Sequence, residues 1–226
     1  MLSRLFPFKR GLVHAYWAPN IWALYCFADA VLSLLFTGRF TTALMSGLVQ
    51  ENDFTVLPEI RPWMTLLATL VAMAPLLIKV WKVPSSARFI DYATVGAMSF
   101  IMFGWHVHEK AWLMISIPWV LTRHPMAFAT NVLVGFSLFP LVYPVGEAFF
   151  KVLLFIGFVV ILYRNLAPTL SRIEIIYMLL AIPVWVLYSI FPSGKFYPLM
   201  LVSVYCSIGL IYIYINSYIR ILKQNK

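Results

Sequence analysis

From Trp63 onward the chain alternates long apolar runs with short polar turns, and spans can be drawn over residues 63–81, 89–105, 111–122, 126–143, 149–163, 173–191 and 197–219. Open runs of this kind must pair their amides internally in lipid, which leaves helices as the only candidates. The run 111–122 is too short to cross on its own at a rise of 1.5 Å per residue. It must take in the polar residues before it, or sit where its neighbours thin the bilayer. Hydropathy repeats along the chain, but no sequence repeat accompanies it. The pattern predicts an all-α polytopic membrane protein with about seven transmembrane helices. Pro75, Pro118, Pro140 and Pro183 fall in or near these spans and predict kinks. Asn131 and Asn216 are expected to bond across to neighbouring helices. Trp63, Trp81, Trp105, Trp112 and Trp119 lie near span ends and are expected at the headgroup level.

Residues 1–62 differ in pattern. Polar and charged positions recur throughout, so they form a separate loop region ahead of a transmembrane helical domain over 63–226. Within them, 21–36 is largely apolar but interrupted by Asp29, and it is short against the roughly 20 residues that span a bilayer. It is expected to be an interfacial or re-entrant helix, with a true span as the rival reading. Gly38, Gly47, Pro58 and Pro62 punctuate the rest as loop. Residues 1–11 lack the continuous apolar core and cleavage site of a secretory signal.

Composition supports the membrane reading: 62% of residues are hydrophobic, 11% are charged and the mean hydropathy is +0.88. That leaves too little polar surface to coat a soluble globule. The net charge of +9 comes mostly from short loops, where it encodes orientation and not nucleic-acid binding. Lys79, Lys82, Arg88, Arg123, Arg164, Arg172, Arg220, Lys223 and Lys226 fall in one alternate set of loops, and Lys110, Lys151 and Lys195 in the other. The basic set is expected to be cytosolic. Residues 1–62 and the turns at 106–110, 143–147 and 193–195 then share the opposite side. Cys26 and Cys206 make no disulfide framework and read as buried small apolar residues. His124, in a basic turn, reads as a helix cap.

Candidate chemistry concentrates in Phe103-Gly104-Trp105-His106-Val107-His108-Glu109-Lys110-Ala111, with four ionisable groups in five residues between apolar runs. Such a cluster at a membrane boundary reads as a site unless it is a solvated helix start with an internal ion pair. On a helix, His106 would share a face with Glu109 and Lys110 while His108 points away, an arrangement unsuited to a two-histidine metal site. A second polar block runs Ser3-Arg4-Leu5-Phe6-Pro7-Phe8-Lys9-Arg10-Gly11-Leu12, followed by His14-Ala15-Tyr16-Trp17-Ala18-Pro19-Asn20 and Trp22.

In this order the two blocks resemble the endoplasmic-reticulum α-1,3-glucosyltransferases that take glucose from dolichyl-phosphate-glucose to complete the lipid-linked oligosaccharide for N-glycosylation. The His-x-Tyr-Trp-Ala-Pro-Asn form is most like the branch that adds the second glucose. The resemblance covers all 226 residues, yet only the C-terminal half of such an enzyme, so a truncated chain is expected. It implies a GT-C type fold, an inverting hexosyl transfer, and a multi-pass endoplasmic-reticulum location. The partners implied are dolichyl-phosphate-glucose, the dolichyl-diphosphate oligosaccharide and membrane lipid, with no cofactor or metal. The family's base is an aspartate upstream of anything present here, so no catalytic residue is assigned and the chain alone is expected to be inactive. Donor and acceptor binding is carried onto Lys9, Arg10, His14, Tyr16, Trp17, Asn20, His106, His108, Glu109 and Lys110. Lys9 and Arg10 could equally hold lipid headgroups. The rival classes are a transporter or a non-catalytic membrane subunit. Transporters place ionisable residues at mid-span, whereas Asp91, Lys151 and Glu174 lie near proposed span ends.

Overall fold

The computed structural model describes residues 11–13, 18–38, 54–140, 145–167, 170–190 and 197–223, and every regular element among them is helical. In chain order they are α1 (Ile21–Thr37), α2 (Pro62–Lys82), α3 (Phe89–Phe103), α4 (Leu113–Leu121), α5 (Ala127–Leu138), α6 (Ala148–Leu166), α7 (Arg172–Leu179), α8 (Ala181–Ile190) and α9 (Tyr197–Lys223). Each apolar run drawn from the sequence holds a helix. Stretches of 21, 18, 19 and 25 residues, at Pro62–Lys82, Phe149–Leu166, Arg172–Ile190 and Leu199–Lys223, are long and apolar enough to cross a membrane. The protein is a multi-pass, all-α membrane protein.

The short helix α5 lies inside the bundle. α5 has 12 residues and buries nine of them, from Ala127 through Val134 together with Phe136. A helix apolar on every side is stable only when neighbours surround it. α9 is the centre: it packs on α1, α2, α3, α5 and α8. Gly209 makes part of this possible, since a Cβ there would stand 2.6 Å from both Leu133 Cδ1 and Tyr177 Cε1. Nearby, Tyr177 and Tyr205 stack with ring centroids 4.8 Å apart. Each hydroxyl donates to the other's backbone carbonyl, which satisfies two polar groups that lipid would not.

Some sequence expectations need correction. Trp112 and Trp119 are fully buried and are not headgroup anchors. Their indole N–H groups are spent internally, Trp112 on the Pro19 carbonyl at 3.0 Å and Trp119 on Thr94 Oγ1 at 2.9 Å. Trp63 and Trp81 are exposed at the two ends of α2, as the belt reading requires. Asn131 does bond across, reaching the Ser116 carbonyl on α4. Asn216 instead donates to Tyr212 in its own helix. The run 173–191 is interrupted at Leu180, because Pro183 has no amide to donate to the Leu179 carbonyl and its ring crowds that group.

α1 starts with the Asn20 side chain accepting from Ala23 N and ends at Gly38, whose φ of 68° suits glycine. Asp29, an interruption when read in sequence, is fully buried. Its carboxylate accepts the backbone amides of Thr55, Val56 and Leu57 at 3.1, 2.9 and 2.7 Å. With Tyr25 donating to the Pro58 carbonyl, this fastens the segment before α2 back onto α1.

Candidate functional site

The site is built where α3 ends. Gly104 N–H donates to the Phe100 carbonyl, and a Cβ at Gly104 would stand 2.5 Å from that oxygen and 3.0 Å from Val107 Cγ2. Only glycine lets the chain turn off the helix so tightly. His106 follows with φ 49°, a left-handed conformation that a side chain tolerates only when its surroundings fix it. Two hydrogen bonds fix it here. Its backbone N–H donates to the Leu12 carbonyl at 2.9 Å, and its Nδ1 bonds the Gly11 carbonyl at 2.7 Å. A carbonyl can only accept, so Nδ1 carries the proton and, in the neutral ring, the lone pair is on Nε2.

A helix therefore does not run through the cluster, and the face shared by His106, Glu109 and Lys110 does not exist. The regular structure resumes as a 3-10 turn over Glu109–Trp112 and continues into α4. The His106 and His108 rings come together edge to face, 5.5 Å between centroids. Glu109 is buried at 3% exposure, while His108 and Lys110 are exposed. No group of three or more metal-ligating side chains forms among the described residues.

The two sequence blocks meet in this place. Besides the His106 bonds to Gly11 and Leu12, Trp112 Nε1 donates to the Pro19 carbonyl and Trp22 Nε1 donates to the Phe103 carbonyl, both at 3.0 Å. Leu12, Val13, Trp22, Ala23 and Met200 form an apolar cluster beneath them, with Trp105 packed against it. Residues 81 to 95 apart in sequence are thus held as one unit. Asn20 is at its edge, wholly buried. Its Oδ1 is committed to the α1 cap, and its Nδ2 is buried without a hydrogen-bond partner among the described residues. Lys9, Arg10, His14, Tyr16 and Trp17 lie outside the described residues. What sequence reasoning missed is the architectural part: Trp22, Trp112 and Gly104 fasten the blocks together, and the place of Trp112 near a span end concealed its share.

Comparison with known proteins agrees with the motifs that meet here. A protein called dolichyl pyrophosphate Glc1Man9GlcNAc2 alpha-1,3-glucosyltransferase from Mus musculus is 40% identical over 98% of this chain and 48% of its own length. The proteins of the same name from Gibberella zeae and Schizosaccharomyces pombe are 39% and 35% identical, over 93% and 96% of this chain and 48% and 49% of theirs. The chain spans about half the length of the curated relatives it matches. A family profile described as ALG6, ALG8 glycosyltransferase matches residues 1–217. With that profile covering nearly every residue, including both blocks joined at His106, the chain belongs to the ALG6, ALG8 glycosyltransferase family.

Proposed function

We propose that this chain binds the substrates of an endoplasmic-reticulum α-1,3-glucosyltransferase that moves glucose from dolichyl-phosphate-glucose to the monoglucosylated dolichyl-diphosphate oligosaccharide. The observation that carries the reading is the hydrogen-bonded junction of Gly11, Leu12, Pro19 and Trp22 with Phe103, His106 and Trp112. At it the His106 ring, its tautomer fixed, meets the His108 ring edge to face, two residues before the exposed Lys110. Glycosyl transfer from a lipid phosphate needs donors for the departing phosphate, a fixed reacting carbon and a base for the attacking hydroxyl. His106, His108 and Lys110 serve the first need, and Lys9, Arg10, His14, Tyr16, Trp17 and Asn20 are assigned to donor and acceptor around them. Glu109, buried between His108 and Lys110 in the chain, is assigned to hold Lys110 or His106 in place.

Neither of the two buried carboxylates suits the base. Asp29 is occupied by three amides, and Glu109 is almost fully covered. Residues 1–62 are assigned to the lumenal side, with α1 re-entrant. Tyr25 and Asp29 hold 54–60 against α1, and so bring the chain back to where α1 began.

The reading is tested by binding. In lipid nanodiscs the chain should bind dolichyl-phosphate-glucose saturably, with dolichyl phosphate competing. Lys110→Ala removes a charge-assisted contact of about 1.5 to 3 kcal/mol, so affinity should fall roughly ten- to hundredfold. Equal affinity in the variant would remove Lys110 from the site, and absence of competition by dolichyl phosphate would remove phosphate recognition from the reading.

A further inference from the structure

At the far end of the bundle the turn that closes α4 carries an anomaly. Arg123 has φ 52°, and its N–H donates to the Val120 carbonyl while the His124 N–H donates to the Trp119 carbonyl. This is the Schellman ending of a helix, in which the left-handed position is normally glycine because any Cβ there is strained. A long side chain is kept at a position where the backbone favours none.

That side chain lines a polar cavity of about 250 Å³, shared with Asp91 and Ile90 from the start of α3, Thr122, His124, and Arg220 near the end of α9. Neither Arg123 nor Arg220 is in an ion pair among the described residues, and both are exposed. Asp91 is the one carboxylate in the wall, and it faces Arg220 and Arg88. Two guanidiniums against one carboxylate leave the cavity positive. His124 is stacked on Trp119, ring centroids 4.1 Å apart, and its Nδ1 accepts the Met126 amide at 3.2 Å, so the neutral ring carries its proton on Nε2. Burial, and then Arg220, push its pKa down to about 4, so at neutral pH it contributes an N–H donor and no charge.

The cavity sits at helix ends flanked by exposed apolar side chains, including Phe89, Leu121 and Ile219. Phosphate oxygens match paired guanidiniums, and basic pockets between membrane helices hold lipid headgroups. We propose that this cavity binds the phosphate headgroup of an anionic membrane lipid, whose chains lie along the apolar flank. The site is separate from the junction of the two sequence blocks and does not depend on the glucosyltransferase reading.

The test titrates the purified full chain, in neutral detergent, with dioleoyl phosphatidic acid against dioleoyl phosphatidylcholine, read by native mass spectrometry. Phosphatidic acid should be retained preferentially, and Arg123→Gly and Arg220→Gln should each weaken it about tenfold or more. In lipid-free detergent Arg123→Gly should melt at or above the wild-type temperature, because glycine relieves the turn. Wild-type lipid binding in both variants would overturn the site, and a lowered melting temperature for Arg123→Gly would show that the arginine serves the fold. Inorganic phosphate is the third arm. Displacement of the lipid by it at equal concentration would keep the phosphate chemistry and overturn the lipid as its source.

Discussion

At the scale of single residues, burial decides between a structural and a binding role. Asn20 is the clearest case, because its oxygen caps α1 while its amide nitrogen remains. Asn20→Ala should lose the cap and about 1 kcal/mol of stability, whereas Asn20→Ser keeps a neutral capping oxygen at this buried position and should lose less. If Asn20 also serves the acceptor sugar through its amide nitrogen, Asn20→Ser lowers oligosaccharide binding by more than its change in melting temperature accounts for, and unchanged binding would leave only the cap. His124 gives a pH signature. Its folded pKa of about 4 lies below the ordinary 6.5 of the unfolded chain, so the unfolded state binds more protons between these values. The contribution is present above pH 6.5 and is lost as pH falls through 4. Melting curves should show that loss in the wild type and a smaller one in His124→Gln. The cluster at 106–110 was legible in the sequence as a concentration of charge on apolar ground. Its geometry was not, since a left-handed histidine and a glycine abutting the Phe100 carbonyl are set by contacts with Gly11 and Leu12, far away in the chain.

At the scale of elements, hydropathy located the helices and left their partners undetermined. Asp29 looked like a break in 21–36, and it is the clamp that holds 55–57. Three backbone amides have no side-chain signature, so nothing in residues 54–60 announced an acidic partner. Asp29→Asn keeps the shape but turns a donor toward donors. It should cost about 2 to 3 kcal/mol and open the segment before α2 to proteolysis, while cleavage at the wild-type rate would show that the clamp is dispensable. The tryptophans follow the same logic. Those at the ends of α2 meet the surroundings, while Trp112 and Trp119 are covered by the N-terminal block and by α3, which spacing within one run cannot reveal. α4 stays at nine residues because the 3-10 turn before it serves the junction with Pro19 and does not lengthen a span.

At the scale of the whole molecule, α9 measures the distance between two ends of different character. Its first turns reach the apolar cluster under the sequence blocks through Met200, and its last turns reach the basic cavity through Arg220. Met200 and Arg220 are separated by about 30 Å at helical rise, close to the thickness of a bilayer's hydrocarbon core. Lys79 joins the basic end by donating to the Leu222 carbonyl, so α2 and α9 finish together while α3 begins there. The alternation of loop charge seen in the sequence thus coincides with a physical polarity of the bundle, and the excess of lysine and arginine predicts that this end faces the cytosol. Glycosylation acceptors inserted one at a time test the assignment. The Asn52 region and the turn at 193–195 should be modified, and the loop at 82–88 should not. Modification of 82–88 would invert the molecule and put the sequence blocks in the cytosol, opposite to the side proposed for them. Absence of modification at both other positions would have the same consequence. An acceptor inserted before Asn20 separates the two readings of α1, modified if the helix is re-entrant and unmodified if it is a true span, since Asn52 lies after α1 and reports only the side from which α2 starts.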